Sequence, residues 1–299
     1  MEISAALVKK LRDDTDAPVM ECKRALQKAA DELGNGPVEE KLLARSKEIL
    51  REAGKVAAGK RAGRTVGHGT VALACSDDGK TSAAVLLQCE TDFVSANDDF
   101  RAMAQRFAGF FLDEEPGENP ETQTLDGRPI SGHIEDAVLK MRENIQLGGA
   151  KRVSTGGVIG NYLHHDKSKA ALVALECESV DEAVQDLAKQ LAMQVVAFAP
   201  DYINRDQVES DRVSKEKELQ KQRAIKEGKP ADIAEKIAEG RVNKEFFQQV
   251  VLLDQAWFAD QKKKARDVVE ETAKAAGCEI RVTRIVRLGA GQPGVDSSV

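Results

Sequence analysis

Two stretches of this chain lie on one another without a gap: residues 69–91, GTVALACSDDGKTSAAVLLQCET, and residues 157–179, GVIGNYLHHDKSKAALVALECES. Gly69 matches Gly157, Asp78 matches Asp166, and Ala83, Val85, Leu87, Cys89 and Glu90 match Ala171, Val173, Leu175, Cys177 and Glu178. An internal repeat of this kind constrains the fold more than any single residue does. Each copy reads as strand, polar turn, strand, with Asp and Gly or Lys and Ser in the turn. Each is followed by a helical period: Phe100, Met103, Ala104, Phe107 and Ala108 after the first, Val184, Leu187, Ala188, Leu191 and Ala192 after the second. Two hairpin-plus-helix units predict an α+β fold with a duplicated core.

The copies differ at one corner. Nine residues separate Glu90 from its helix, and five separate Glu178 from its own. The four extra residues fall in the stretch Thr91, Asp92, Phe93 and Val94. A large apolar ring at a strand-to-helix corner is costly to leave in water. Phe93 therefore either folds back onto the core or protrudes as a wedge that a partner covers, and periodicity alone leaves both readings open.

The flanks predict helices. Ile3, Leu7, Val8 and Leu11 recur at helical spacing behind a cap at Ser4. Asp16 is placed to cap a second helix whose first turn holds Pro18 and whose inner side carries Cys22, Ala25, Leu26 and Ala29. After Gly34, Asn35, Gly36 and Pro37 a third helix begins, with Leu42, Leu43, Ile49 and Leu50. These form an N-terminal three-helix domain over residues 1–55, followed by a linker at 56–68 whose first half has helical character. Residues 69–150 form one core subdomain, with a Pro- and Glu-rich loop at 113–129; the second comprises 151–200 and, after an interruption, 251–288. The interruption, 201–250, reads as a projecting antiparallel helical hairpin of coiled-coil character broken at Gly228, Lys229 and Pro230. It is a candidate for dimerisation or docking. After an apolar cluster of Phe246, Phe247, Val250, Leu253, Trp257 and Phe258, a helix near 260–276 and a strand at 279–288 close the fold. The tail 289–299, small and polar, is expected to be disordered.

Composition narrows the function. The 299 residues carry a net charge of −6, and their basic runs at 55–64 and 262–264 are interleaved with Ala, Gly or acids. That argues against a nucleic-acid-binding surface. No stretch reaches the roughly 20 apolar residues of a membrane span, and the amphipathic N-terminus is unlike a signal peptide. Five cysteines without a CxxC pair read as reduced, packed thiols of a cytoplasmic protein. His164 and His165 are expected to point to opposite faces of a strand, so no metal site, cofactor or Cys/His catalytic pair is expected. The run Gly289, Ala290, Gly291, Gln292, Pro293, Gly294 matches GxGxxG formally. It opens no helix in a βαβ unit, contains a proline and lies near the end of the chain, so it does not support an enzyme.

Four ordered stretches together resemble the elongation factor Ts family. They are SAALVKKLRDDTDAPVMECKRALQKA near the N-terminus, LLQCETDFVSANDDF around the corner, MRENIQLGGAKRV, read as the family's ENI-containing helix with the strand after it, and IAEGRVNKEFFQQVVLLDQAWF. The resemblance implies an N-terminal domain similar to ubiquitin-associated domains and a non-enzymatic guanine-nucleotide exchange factor for elongation factor Tu. It implies that Thr91, Asp92, Phe93 and Val94 form the signature that enters the partner near its magnesium site. Phe93 would wedge between partner side chains, and Asp92 would hydrogen-bond or repel there. Lys9, Arg12, Met20 and Lys23 would make a second contact with the partner's G domain, and His164 would grip another of its domains. The competing reading is a dimeric interaction scaffold with a ubiquitin-associated-like domain.

Overall fold

The computed structural model describes residues 3–34 and 37–299. The expected turn at Asn35 and Gly36 lies outside the described residues, as do Met1 and Glu2 of the N-terminal domain. The chain is mixed helix and sheet, and it forms two compact units. One comprises Met1–Thr70, Leu86–Arg106 and Pro116–Ala150; the other comprises Val71–Val85, Phe107–Glu115 and Lys151–Val299.

The first unit opens with α1 (Ala5–Thr15), α2 (Val19–Leu33) and α3 (Glu39–Arg61). The Ser4 hydroxyl caps α1 by accepting from the Leu7 amide at 3.3 Å. Asp16 does not cap α2: it closes α1 in the left-handed region at φ 53°, a conformation that Asp tolerates better than most residues, and Pro18 occupies the cap of α2 instead. Leu11, Cys22, Leu26, Leu42 and Leu50 share one apolar cluster, as their helical spacing predicts. Helix α3 runs through to Arg61, with Glu39 and Glu40 in its first turn and Lys60 and Arg61 in its last, the charge order that favours a long helix.

The repeat is visible as β1 (His68–Cys75) with β2 (Thr81–Cys89), and as β6 (Val158–Leu163) with β7 (Lys169–Glu176). After β2 come α4 (Asp92–Ser95) and α5 (Asp98–Asp113), then the small hairpin of β3 (Thr124–Leu125) and β4 (Arg128–Pro129), α6 (Ile130–Met141) and β5 (Ile145–Ser154). After β7 comes α7 (Glu182–Phe198). The repeated glycines have a reason: a Cβ on Gly69 would strike the Leu87 carbonyl oxygen, and one on Gly157 would strike that of Leu175, the repeat-equivalent atom. The polar turns match too, with Asp78 accepting from the Lys80 amide and Asp166 from the Ser168 amide.

Residues 201–250 hold α8 (Ser210–Lys226) and α9 (Ala231–Arg241), joined at Gly228 with φ +84°, then a π-helical turn Val242–Phe246 and α10 (Phe247–Val250). Lys217 pairs with Glu235 and Glu239 across the two helices. The end of the chain departs from expectation. Residues 260–264 are not helical but form β9 (Asp260–Lys264), paired with β8 (Ala256–Trp257), and α11 starts only at Ala265 (Ala265–Ala276). The tail, expected to be disordered, adds a strand β11 (Val295–Ser298) to β10 (Arg281–Gly289). Asp296 holds it there, paired with Arg284 at 2.9 Å and Lys151 at 2.9 Å.

Two main sheets result, one with order β1-β2-β5 and one with order β11-β10-β7-β6. In the second unit Val173, Leu175, Leu187, Leu191, Trp257 and Ile285 belong to one apolar cluster.

Candidate functional site

The four-residue insertion at the first corner folds as α4, a single helical turn. Its cap is Thr91, with extended backbone at φ −125° and ψ 159° and its hydroxyl accepting from the Val94 amide. The same hydroxyl donates to Glu143 Oε1 at 2.5 Å. Glu143 Oε2 accepts from the amides of Glu90 and Thr91, both at 3.0 Å. One carboxylate thus holds three donors of the strand end, and hydrogen bonds to an ionised acceptor are the strong kind. Glu90 is held in turn by the Asn144 amide at 2.6 Å and by Arg64 at 3.3 Å. The buried Asn144 side chain donates to the Arg64 carbonyl at 2.7 Å. On the far side Ser95 Oγ donates to the Asp92 carbonyl and Arg101 Nε to the Ser95 carbonyl. Asn97 Oδ1 caps α5 by accepting from the amides of Asp99 and Phe100.

This frame fixes a turn whose outer residues face solvent. Phe93 is 84 % exposed, more than any other large apolar side chain described. Asp92 is exposed as well, and its carboxylate makes no hydrogen bond or ion pair among the described residues. Val94 and Thr91 are half-buried. The second copy has no such turn: Asp181 caps α7 directly, accepting from the Val184 amide at 2.9 Å.

Lys140 on α6 reaches both Asp99 (3.0 Å) and Asp16 (3.3 Å), so it ties the start of α5 to the end of α1 within the first unit. Burial pulls its pKa down, but the two carboxylates outweigh it and hold the ammonium above the usual lysine value. Lys9, Arg12, Met20 and Lys23, on α1 and α2, are all exposed, Met20 by 55 %. His164 belongs to the other unit. It sits in the turn after β6, where its ring lies 4.3 Å from that of His165 and its Nδ1 lies 3.2 Å from the Tyr162 hydroxyl. The two histidines do not alternate across a strand, because β6 ends at Leu163 and the backbone turns there.

The stretch MRENIQLGGAKRV carries part of the family resemblance, but no role is expected from sequence for Lys140, Glu143 or Asn144. The ENI run is not helical: α6 ends at Met141 with Arg142 in the left-handed region, and Glu143 and Asn144 form the approach to β5. A Glu and an Asn between helix and strand were the only signal, and their partners lie more than fifty residues away in sequence.

Burial, with Glu143 adding to it, pushes the Cys89 thiol up to about 12, which keeps it protonated and unreactive. Among the described residues no group of three His, Cys, Asp or Glu is arranged to hold a metal ion, and no helix is long and apolar enough to cross a membrane.

The family described as Elongation factor TS matches residues 90–292. Elongation factor Ts of Desulfovibrio desulfuricans is 40 % identical over 293 residues, covering 96 % of this chain and 97 % of that protein. Elongation factor Ts of Clostridium botulinum is 35 % identical over 298 residues, with 97 % and 93 % covered. That of Aquifex aeolicus is 31 % identical over 301 residues, with 97 % and 99 % covered.

Proposed function

Because the chain belongs to the elongation factor Ts family, with a role in translation elongation, we propose that it is a guanine-nucleotide exchange factor for elongation factor Tu. In this reading it performs no chemical step and works in the cytoplasm by binding. The observation that carries it is the Phe93 ring, 84 % exposed on a turn that Thr91 and Glu143 hold rigid.

GDP is held in a G domain by Mg²⁺, by P-loop amides and by a lysine around its phosphates. Those contacts are strong only at the correct geometry, so a small displacement weakens them. Covering a phenylalanine ring is worth about 1.5–3 kcal/mol. If that burial is available only in the partner state whose magnesium and phosphate site is disturbed, the ring's burial favours that state and GDP leaves. Asp92, beside it with a free carboxylate, adds either a hydrogen bond or repulsion near the phosphates. Thr91 and Val94 set the turn. Lys9, Arg12, Met20 and Lys23 supply a second contact with the G domain, and His164 a contact with another domain of the partner.

The test is release of fluorescent GDP from elongation factor Tu on mixing with this chain. Wild type should accelerate release; Phe93→Ala should keep its fold and unfolding midpoint yet lose roughly 10- to 100-fold in rate, the kinetic equivalent of the lost burial. Unchanged release with wild type would rule out the exchange function and leave the scaffold reading.

A further inference from the structure

Arg287 on β10 is 5 % exposed. Its register partners are Ala171 on β7 and Val295 on β11, and Ala171 pairs in turn with Tyr162 on β6. Directly opposed residues share a face of the sheet. The side chain therefore stands in the row next to Val173 and Ile285, on the apolar side of the second unit.

Its charge has no counterpart there. One terminal nitrogen donates to the Pro293 carbonyl at 3.4 Å and another to the Gln292 amide oxygen. Nε is buried and has no hydrogen-bond partner among the described residues. Among the described residues no carboxylate forms an ion pair with the guanidinium, and burial alone pushes its pKa below the usual value, with no acid offsetting it. The contrast with its neighbours is sharp: Arg284, on the same strand, has Asp296, and Arg205 has the buried Asp254. A guanidinium stays protonated even when buried, so the missing anion is a real electrostatic debt.

The cover over this charge is the glycine-rich turn 289–294, the GxGxxG run that opens no helix. It is anchored by the Ala290 amide on the Ser168 carbonyl at 2.9 Å, and Gly291 takes a positive φ of 65°. Among the described residues, the turn meets the Arg287 side chain with the Gln292 amide oxygen and the Pro293 carbonyl, both neutral acceptors. We propose that Arg287, beneath the 289–294 turn, binds a small oxyanion of the phosphate class, which displaces the Gln292 amide. A tetrahedral oxyanion offers several acceptors at once, enough to satisfy Nε together with a terminal nitrogen in the fork geometry that arginine favours.

The experiment uses the full chain and inorganic phosphate, with sodium chloride at matched ionic strength as the control and acetate as the carboxylate arm. Thermal unfolding of wild type should shift upward with the logarithm of phosphate concentration, by about 3 °C at tenfold above Kd, and calorimetry should give a single site. Arg287→Met, which keeps the apolar stem, should lose the shift. Gln292→Glu places a carboxylate of the chain's own against the guanidinium: its Tm without phosphate should rise, and its response to phosphate should vanish. A larger response to acetate than to phosphate would refute the phosphate class. A wild-type shift no greater than chloride gives, or a phosphate response retained in Arg287→Met or Gln292→Glu, would overturn the site altogether.

Discussion

Phe93 stays in water because its neighbours leave it nowhere else to go. Thr91 is fixed from two sides, by the Val94 amide it accepts from and the Glu143 carboxylate it donates to. The turn that follows is one helical repeat long, too short to carry the ring back to a core. Glu143 is thus the residue that positions the site without belonging to its surface. Glu143→Gln tests this. The glutamine turns its one oxygen to the amides of Glu90 and Thr91, so its NH₂ group meets the Thr91 hydroxyl, whose hydrogen loses its acceptor, and the bonds that remain are no longer charge-assisted. Leaving buried or half-buried donors unmet costs about 1–3 kcal/mol. Urea denaturation should show that loss, and exchange should fall although Phe93 is intact. Exchange at the wild-type rate in the destabilised variant would mean that the corner's rigidity has no part in the activity.

The four-residue difference between the repeat copies is legible in the sequence, but the helix it forms is not, since four residues carry no period. The hairpins are readable because a polar turn separates two apolar-rich runs in each copy, and their helices because 3.6-residue spacing persists over many residues. Asp16 misled because Asp serves both as an N-cap and in the left-handed region, and only the chain direction after Thr15 decides between them. The strand at Val295–Ser298 escaped because Asp296 finds Arg284 and Lys151 only once β10 and β5 are in place. The hairpin of α8 and α9 remains a proposal for docking or dimerisation. Its seam buries only small or polar residues, among them Ala224, Ala234 and Ala238. Its cross-helix ion pairs are largely exposed and contribute little each. Leu219, Ile225 and Ile233 meanwhile face solvent. If a second copy covers them, light scattering gives twice the chain mass, and excising residues 217–238 returns it to one. That excision spares Val208, Val213, Val242 and Phe246, which pack together at the hairpin's base. A single-chain mass before and after, with exchange intact, would remove the hairpin from the account of partners.

At the scale of the whole molecule, an exchange factor and GDP must weaken each other's binding to the partner by the same factor, because the two routes around a thermodynamic square have equal free energy. Couplings of this kind usually fall between about 1 and 3 kcal/mol, or roughly 5- to 150-fold. Four dissociation constants measure it: this chain for elongation factor Tu with and without GDP, and GDP for elongation factor Tu with and without this chain. The two ratios should agree. Phe93→Ala then separates two roles that a rate alone confuses. If the ring is a wedge whose burial requires a disturbed phosphate site, its removal weakens binding chiefly to the nucleotide-free partner and shrinks both ratios together. Contacts made in either state, such as those proposed for Lys9, Arg12, Met20 and Lys23, should instead lower both affinities and leave the ratios unchanged when they are truncated. A Phe93→Ala variant that loses equal affinity for both forms would make the ring an anchor, and the force that expels GDP would have to come from another part of the surface, with Asp92 the next residue to replace.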